Sequence, residues 1–475
     1  MKKKRDVGGD REKEKDVESA QRRSRGRNRQ QRQRQRQLRK TPSSAIRRQS
    51  RSESRRRHRP LEQQPWFHGF VTREDMAALL KKPGDFLVRQ TEPQDGVGFV
   101  NVLSVKMPEP KQKQLGPSQQ QQTTLKHFVL RQGEDKRFRV GGQKSETSNS
   151  FGTVSELIEH YYRSPHPITK SGPPVRLLHP VKKVHWELNR DDIELGEKLG
   201  EGAFGDVVRG TQRVQPGGQT VPVAIKCVRT TQLTKNQVLD IMKEARLMRD
   251  YNHRNIVRFY GVVANGEPIL IIMEFVNGGS LDKFLQKQSN WAQLRQVDLT
   301  RFCLDAARGL DYLHKKNCIH RDIAARNCLV HVTESGERLA KISDFGLCRK
   351  ESEYKMDMKK RVPIRWLAPE TMKHGLYTFK TDVYSFGIFM WEIYSAGCEP
   401  FPGMQPREVQ LHVLRGLRMD RPQHMPASMF SLMTRCWAEN ADERPDFKEV
   451  VKTIEGHLPP PPPSAPFHHR PPPLC

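Results

Sequence analysis

The chain has 475 residues, only 35% of them hydrophobic, and a formal net charge of +29, which is length enough for two or three folded units. More than half of the surplus charge lies in residues 1–60, where apolar side chains are almost absent, so the remainder keeps an ordinary globular balance. A spanning helix is excluded because no run of about 18 uninterrupted apolar residues occurs. A secretory leader is excluded because Met1-Lys2-Lys3-Lys4-Arg5 has no apolar stretch after it. The eight cysteines show no paired metal-ligand spacing, and scattered reduced thiols fit a cytoplasmic chain. Lys2 in place of glycine and Cys475 at the last position argue against myristoyl and prenyl anchors.

Residues 1–62 read as a basic disordered tail, since they cannot bury enough surface to offset the entropy of ordering. Arg32-Gln33-Arg34-Gln35-Arg36-Gln37 is low-complexity sequence. Three readings stay open for the tail. It is a solvated arm, or it attaches peripherally to anionic inner-leaflet lipids at roughly 1 kcal/mol per basic residue, or it serves nuclear import or RNA binding. The lack of aromatic residues for base stacking speaks against the last, and no specific nucleic acid is expected. Ser50, after Arg47-Arg48-Gln49, is placed for a phosphorylation that weakens surface attachment.

Residues 63–180 form a compact unit of short strands with a helical segment at each end. Trp66-Phe67-His68-Gly69 opens it, an amphipathic stretch runs from Arg73 to Leu80, and Phe86-Leu87-Val88-Arg89 follows. An arginine ending an apolar strand is partly desolvated and costs stability unless an anion pairs with it. Its planar fork suits two phosphate oxygens at once. With Leu103-Ser104-Val105, Lys126-His127-Phe128 and Val154-Ser155-Glu156-Leu157-Ile158 downstream, the ordered set resembles an SH2 domain, a central antiparallel sheet flanked by two helices. The resemblance implies that Arg89 binds phosphotyrosine, with Arg73 and Thr91 as auxiliary contacts and His127 lining the pocket. Val129 stands where several SH2 domains carry a basic residue against the phenol ring, which departs from that pattern. The glutamine-rich insertion Lys111 to Thr124 reads as a solvated loop, and residues 181–190, with Trp186, as a linker.

Residues 191–457 are strand-rich first and helix-rich later. Gly200-Glu201-Gly202-Ala203-Phe204-Gly205-Asp206-Val207 is flanked by Ile193, Leu195, Leu199 and by Val207, Val208, so it joins two strands of a hairpin. Val223-Ala224-Ile225-Lys226 is a β-branched strand ending in a lysine suited to α- and β-phosphates. Glu244, in the helical stretch Ile241 to Met248, is the candidate carboxylate to hold that lysine. Phosphoryl transfer needs a carboxylate for the hydroxyl proton and oxygen ligands for Mg²⁺. In Ile319-His320-Arg321-Asp322-Ile323-Ala324-Ala325-Arg326-Asn327, Asp322 serves as base and Asn327 as metal ligand, and Asp344-Phe345-Gly346 supplies the second metal carboxylate. Ala368-Pro369-Glu370 closes the segment.

Five short motifs in this order resemble the protein kinase family, bilobal with a β-rich N-lobe and an α-rich C-lobe, which uses ATP and Mg²⁺. Ala324 stands where serine/threonine kinases usually place lysine, and Arg326 takes over its charge, as in the tyrosine kinases. Val362-Pro363-Ile364-Arg365-Trp366 matches their substrate platform. The resemblance also implies ATP contacts at Gly200, Gly202, Gly205, Val207, Ala224, Lys226 and Leu329. It makes Met273 a gatekeeper and the backbone of Glu274, Phe275 and Val276 a hinge. Glu370 and Arg444 match a structural ion pair. Ile323 and Tyr384 replace a more usual leucine and tryptophan, and Tyr354 matches an autophosphorylation site whose phosphate would pair with Arg321 and Arg349.

An SH2 unit running directly into a kinase most resembles the Fes/Fer group of non-receptor tyrosine kinases. The implied function is transfer of the ATP γ-phosphate to protein tyrosines in signal transduction, with phosphotyrosine proteins bound through the SH2 unit for targeting and activation. That group's long upstream membrane-bending region has no counterpart among these residues. Residues 458–475 form a proline-rich tail, which reads as an SH3 ligand or an inert spacer. The competing classes are a phosphotyrosine-dependent scaffold in which Lys226, Asp322 and Asp344 are silent, and a nucleic-acid binder driven by the basic tail.

Overall fold

The computed structural model describes residues 59–92, 98–108, 125–141, 149–169, 174–202, 205–214, 218–228, 234–357 and 362–459. The tail up to residue 58 with Ser50, the glutamine-rich insertion, Ala203 and Phe204 of the glycine-rich turn, and the proline run from residue 460 lie outside the described residues. Residues 59–62, assigned above to the tail, are already structured. Leu61–Gln63 is a 3-10 turn, and Leu61 packs on the core of the first unit.

Helix α1 (Arg73–Leu79) starts where the Thr72 hydroxyl accepts the Asp75 backbone N–H, with Glu74 and Asp75 favourably placed in its first turn. Strands β1 (Asp85–Thr91), β2 (Val100–Lys106), β3 (Leu125–Gln132) and β4 (Phe138–Val140) form an antiparallel meander, and α2 (Val154–Arg163) is capped by Thr153. Beyond the helix that closes the unit by periodicity, β5 (His179–Pro180) returns parallel to β1, giving the order β4-β3-β2-β1-β5. Two residues, one of them proline, carry no period by which to foresee that strand. Alternation along β1 splits its side chains between two cores. Phe86 and Val88 pack with Leu103, Phe128, Leu157 and Ile158. Leu87 faces the other way and joins Phe70, Val71, Met76 and Leu80 in a cluster that continues through Trp186 and Met242 into the second unit.

The second unit begins with a curled antiparallel sheet of β6 (Ile193–Gly202), β7 (Gly205–Val214), β8 (Gln219–Val228), β9 (Phe259–Val263) and β10 (Leu270–Glu274), in the order β6-β7-β8-β10-β9. Helix α3 (Lys235–Arg249), opened by a Thr234/Gln237 capping box, packs on it. The other lobe is built of α4 (Leu281–Gln286), α5 (Gln296–Lys315), α6 (Pro369–His374), α7 (Phe379–Tyr394), α8 (Pro406–Leu414), α9 (Ala427–Cys436) and α10 (Phe447–Glu455). Two antiparallel strand pairs, the hairpin of β11 (Cys328–Val332) with β12 (Arg338–Ile342) and the longer-range pair of β13 (Glu353–Lys355) with β14 (Leu376–Thr378), complete it. No described helix is long and apolar enough to cross a membrane.

Helix α7 is apolar nearly all round and buried along almost its whole length, so it forms the lobe's axis. Beside it, Arg444 is 1% exposed and donates to both Glu370 oxygens at 2.6 and 2.9 Å, and also to the carbonyls of Ala438 and Lys380. Tyr384 is fully buried under the guanidinium groups of Arg418 and Arg444, and its hydroxyl has no hydrogen-bond partner among the described residues. An unsatisfied buried hydroxyl costs about 1–3 kcal/mol. Tyr384→Phe is therefore expected to raise the melting temperature, and a drop in thermal unfolding would show that the hydroxyl is bonded after all.

The two units are docked, not strung on a tether. Phe70 donates its backbone N–H to Ala264 O at 2.8 Å, and Gly69 has φ of 58°. A Cβ at Gly69 would come within 1.9 Å of Ala264 O, so both conformation and contact demand glycine. The linker pairs with β9 through Val262 N–H to Trp186 O at 2.8 Å and Leu188 N–H to Val262 O at 2.9 Å. Within it, Glu187 reaches back to buried His68 at 2.7 Å.

Candidate active site

The cleft between the lobes of the second unit gathers the candidate phosphoryl-transfer residues. Strand register places Val207 beside Lys226 and Ala224 beside Met273, while in the helical lobe Leu329 bridges to Ser280. Lys226 and Glu244 are both buried, and the ammonium donates to both carboxylate oxygens at 2.7 and 2.9 Å. Burial raises the Glu244 pKa, opposed by the charge of Lys226. The Asp344 carboxylate lies 3.9 Å from the same ammonium. Gly200 and Gly202 end β6 and Gly205 opens β7. A Cβ at Gly200 would meet no protein atom within 4 Å, so protein packing does not account for glycine there. At the hinge, the Glu274 N–H is already spent on Arg258 O at 2.9 Å and its side chain holds Lys341 at 3.0 Å, leaving its carbonyl and the buried Val276.

The loop after α5 is tightly specified. One oxygen of Asp322 accepts from Arg326 at 2.5 Å and the other from Asn327 at 2.7 Å, so the carboxylate is held from both sides. Arg326 also stacks on the Trp366 ring at 4.1 Å. Three residues missed in the sequence build this loop. Buried Asp382 of α7 accepts the backbone N–H groups of His320 and Arg321 at 2.8 and 2.9 Å. Glu392 accepts from Ala325 N and Trp366 Nε1, and burial pushes its pKa up to about 7. Tyr377 stacks against Arg321. Carboxylates inside an otherwise apolar helix were the available signal for the first two.

Arg321 and Asp344 both have positive φ, 73° and 58°. Half-buried Tyr354 lies opposite Tyr377 in the β13–β14 pair. The Arg321 guanidinium lies 4.1 Å from the Tyr354 ring and Arg349 5.2 Å from it. The expected phosphate partners of Tyr354 are thus already beside it.

In the first unit Arg89 is 4% exposed on β1 and, among the described residues, makes no ion pair and leaves its buried Nε without a partner. Burial, then the charge of Arg73, lowers its pKa to about 10. His127, solvent-exposed on β3, is lowered to about 4 by desolvation of the ring and by the charges of Arg89 and Arg73. Its Nδ1 lies 3.0 Å from the Ser104 hydroxyl, a partner not foreseen. Thr91 ends β1 next to these groups. Val129 lies on the same side of β3 as His127, where alternation repeats.

The two sites are connected through α3. Arg246 donates to Asp75 at 3.0 and 2.9 Å, to the Thr72 hydroxyl at 2.8 Å and to Glu74. Buried Glu92, one residue past Thr91, accepts the Lys235 N–H at 3.0 Å at the helix start, where α3 has no acidic residue of its own in the first turn.

Residues 193–454 match the family model of protein tyrosine and serine/threonine kinases, and residues 66–161 that of the SH2 domain. The tyrosine-protein kinase Fer of Mus musculus is 38% identical over 399 residues, covering 83% of this chain and 44% of that protein. The transforming protein Fps of avian sarcoma virus (strain PRCII) is 38% identical over 396 residues, 82% of this chain and 67% of its own. Fer-related kinase 1 of Caenorhabditis elegans is 36% identical over 400 residues, 82% and 92% respectively. The chain thus spans less than half the length of the Fer relative. On this likeness, carried through both units, the chain belongs to the SH2-containing tyrosine kinases of the Fer/Fps family.

Proposed function

We propose that the chain transfers the γ-phosphoryl group of ATP to tyrosine hydroxyls of protein substrates, as a non-receptor kinase in signal transduction. The observation that carries this reading is the closed Lys226–Glu244 pair beside Asp344, with Asp322 held by Arg326 and Asn327 in the same cleft. Asp322 takes the phenolic proton as the tyrosine oxygen attacks phosphorus and the bond to the β-phosphate oxygen breaks, releasing ADP. Lys226 binds the α- and β-phosphates, held in place by Glu244. The hard oxygens of Asp344 and Asn327 fit Mg²⁺, and no described cluster of three or more His, Cys, Asp or Glu forms a complete protein cage, which suits an ion sharing phosphate and water ligands. When bound, the ion neutralises charge on the phosphates. Arg326 on Trp366, with Pro363, frames a platform for a long aromatic substrate side chain. Tyr354 is the autophosphorylation site.

Arg89, Arg73, Thr91 and His127 bind phosphotyrosine in other proteins, and the docked SH2 unit supports α3. The test measures ³²P transfer from labelled ATP to poly(Glu,Tyr) with and without a phosphotyrosine peptide. The peptide is expected to raise the rate in the native chain and not in Arg246→Glu. Equal rates in the native chain would refute the coupling, and label on serine peptides alone would refute tyrosine specificity. Sequence alone supports attachment of the basic segment to the cytoplasmic face of an anionic membrane and of the proline segment to an SH3 domain.

A further inference from the structure

Outside the catalytic machinery, two thiols sit where the loop carrying Asp322 meets the start of the segment that follows Asp344. Ile319 and Arg349 form an isolated antiparallel bridge, exchanging N–H to O bonds of 2.9 and 3.0 Å. Cys318 precedes one of these residues and Cys348 the other, so both side chains fall on the opposite side of the bridge, on one diagonal. Right-handed twist shortens that diagonal. Both cysteines are fully buried and unpaired, and each thiol donates to a carbonyl of the loop, Cys318 to Ile319 O and Cys348 to His320 O, both at 3.7 Å. The neighbouring Cys348 side chain lowers the Cys318 pKa, while burial and then the Cys318 side chain raise the Cys348 pKa.

We propose that Cys318 and Cys348 form an oxidation site, at which hydrogen peroxide links them in a disulfide that ties the segment after Phe345 to the catalytic loop. The Cys318 thiolate attacks one peroxide oxygen, the O–O bond breaks, and the departing hydroxide takes a proton to become water, leaving a sulfenic acid. The Cys348 sulfur then attacks the Cys318 sulfur, the S–O bond breaks, and the leaving hydroxide departs with the Cys348 proton as a second water. The two thiols lose two electrons and the peroxide gains them. Diagonal neighbours stand about 7–8 Å apart, beyond the usual Cα span of a disulfide of about 4.4–6.8 Å, so closure draws the two segments together. The bond itself is independent of the kinase reading. Its consequence for turnover rests on that reading, and a displacement of this kind costs about tenfold or more.

The test treats the purified full chain with hydrogen peroxide, alkylates free thiols, and maps peptides without reduction by mass spectrometry. A cross-linked peptide lighter by two hydrogens is expected in the native chain and absent from Cys318→Ser, Cys348→Ser and Cys348→Ala. Exposed Cys398 serves as the internal reactivity control. Phosphotransfer is expected to fall with cross-linking, to return with dithiothreitol, and to resist peroxide in the Cys348 variants. Oxidised Cys398 with no Cys318–Cys348 peptide at any dose overturns the site. A cross-linked chain that turns over as fast as the reduced one overturns the regulatory consequence. Absence of kinase activity before oxidation counts against the functional reading alone, because the mass of the peptide decides the bond.

Discussion

Asp322→Asn is expected to lower kcat on a tyrosine substrate by about 10²- to 10⁴-fold, the range for losing a positioned general base. One oxygen of the native carboxylate accepts from Arg326 and the other from Asn327, so the amide keeps only one of these bonds and loses its basicity. ATP affinity, which the proposed reading assigns to Lys226 and the hinge, should stay within about twofold, since the loss falls on the transition state. Phosphopeptide affinity of the SH2 unit should not move at all. Steady-state kinetics alongside nucleotide titration makes this check. A kcat within threefold of native would remove Asp322 from the role of base, and a parallel collapse of ATP binding would mean the loop had misfolded.

Arg89→Met is expected to abolish phosphotyrosine binding while making the chain more stable to heat. Truncating a buried, hydrogen-bonded charge in a complex costs about 2–5 kcal/mol, or about 30- to several thousand-fold in Kd. In the free protein the balance reverses. The guanidinium is almost fully buried, has no carboxylate partner among the described residues and is repelled by Arg73, so it lowers stability until an anion arrives. A methionine fills similar volume without that cost. Fluorescence anisotropy with a labelled phosphotyrosine peptide and a thermal melt give the two readouts. Unchanged peptide affinity would show that Arg89 is not the phosphate ligand, and a fall in melting temperature would show that it has a structural partner.

What the sequence could reveal divides along a physical line. Asp322, Arg326 and Asn327 lie in one short run because a loop must present them together, so that run and its resemblance to the tyrosine kinase loop exposed them. Lys226 and Glu244 were legible as a strand end and a helix face. Asp382, Glu392 and Ser104 were not, because each partners backbone or side chains far along the chain, and no local period encodes such a pairing. The docking of the two units was hidden for the same reason. Leu87 looks like any inward strand residue, and only the fold reveals that it faces away from Phe86 toward the neighbouring unit. Arg246 reads as an exposed helical arginine until Asp75 is brought against it.

The apolar cluster that runs from Phe70, Val71 and Leu87 through Trp186 to Met242 has a consequence for what counts as one domain. Each large side chain there contributes about 1.5–3 kcal/mol by burial, and the cluster they build is shared between the two units. Sequence boundaries would cut the chain at the linker, yet the cut would leave a greasy scar on both pieces. An excised kinase half would carry an exposed patch around Trp186 and the outer face of α3, prone to self-association and deprived of part of its own hydrophobic support. For this chain the indivisible module in purification is the pair.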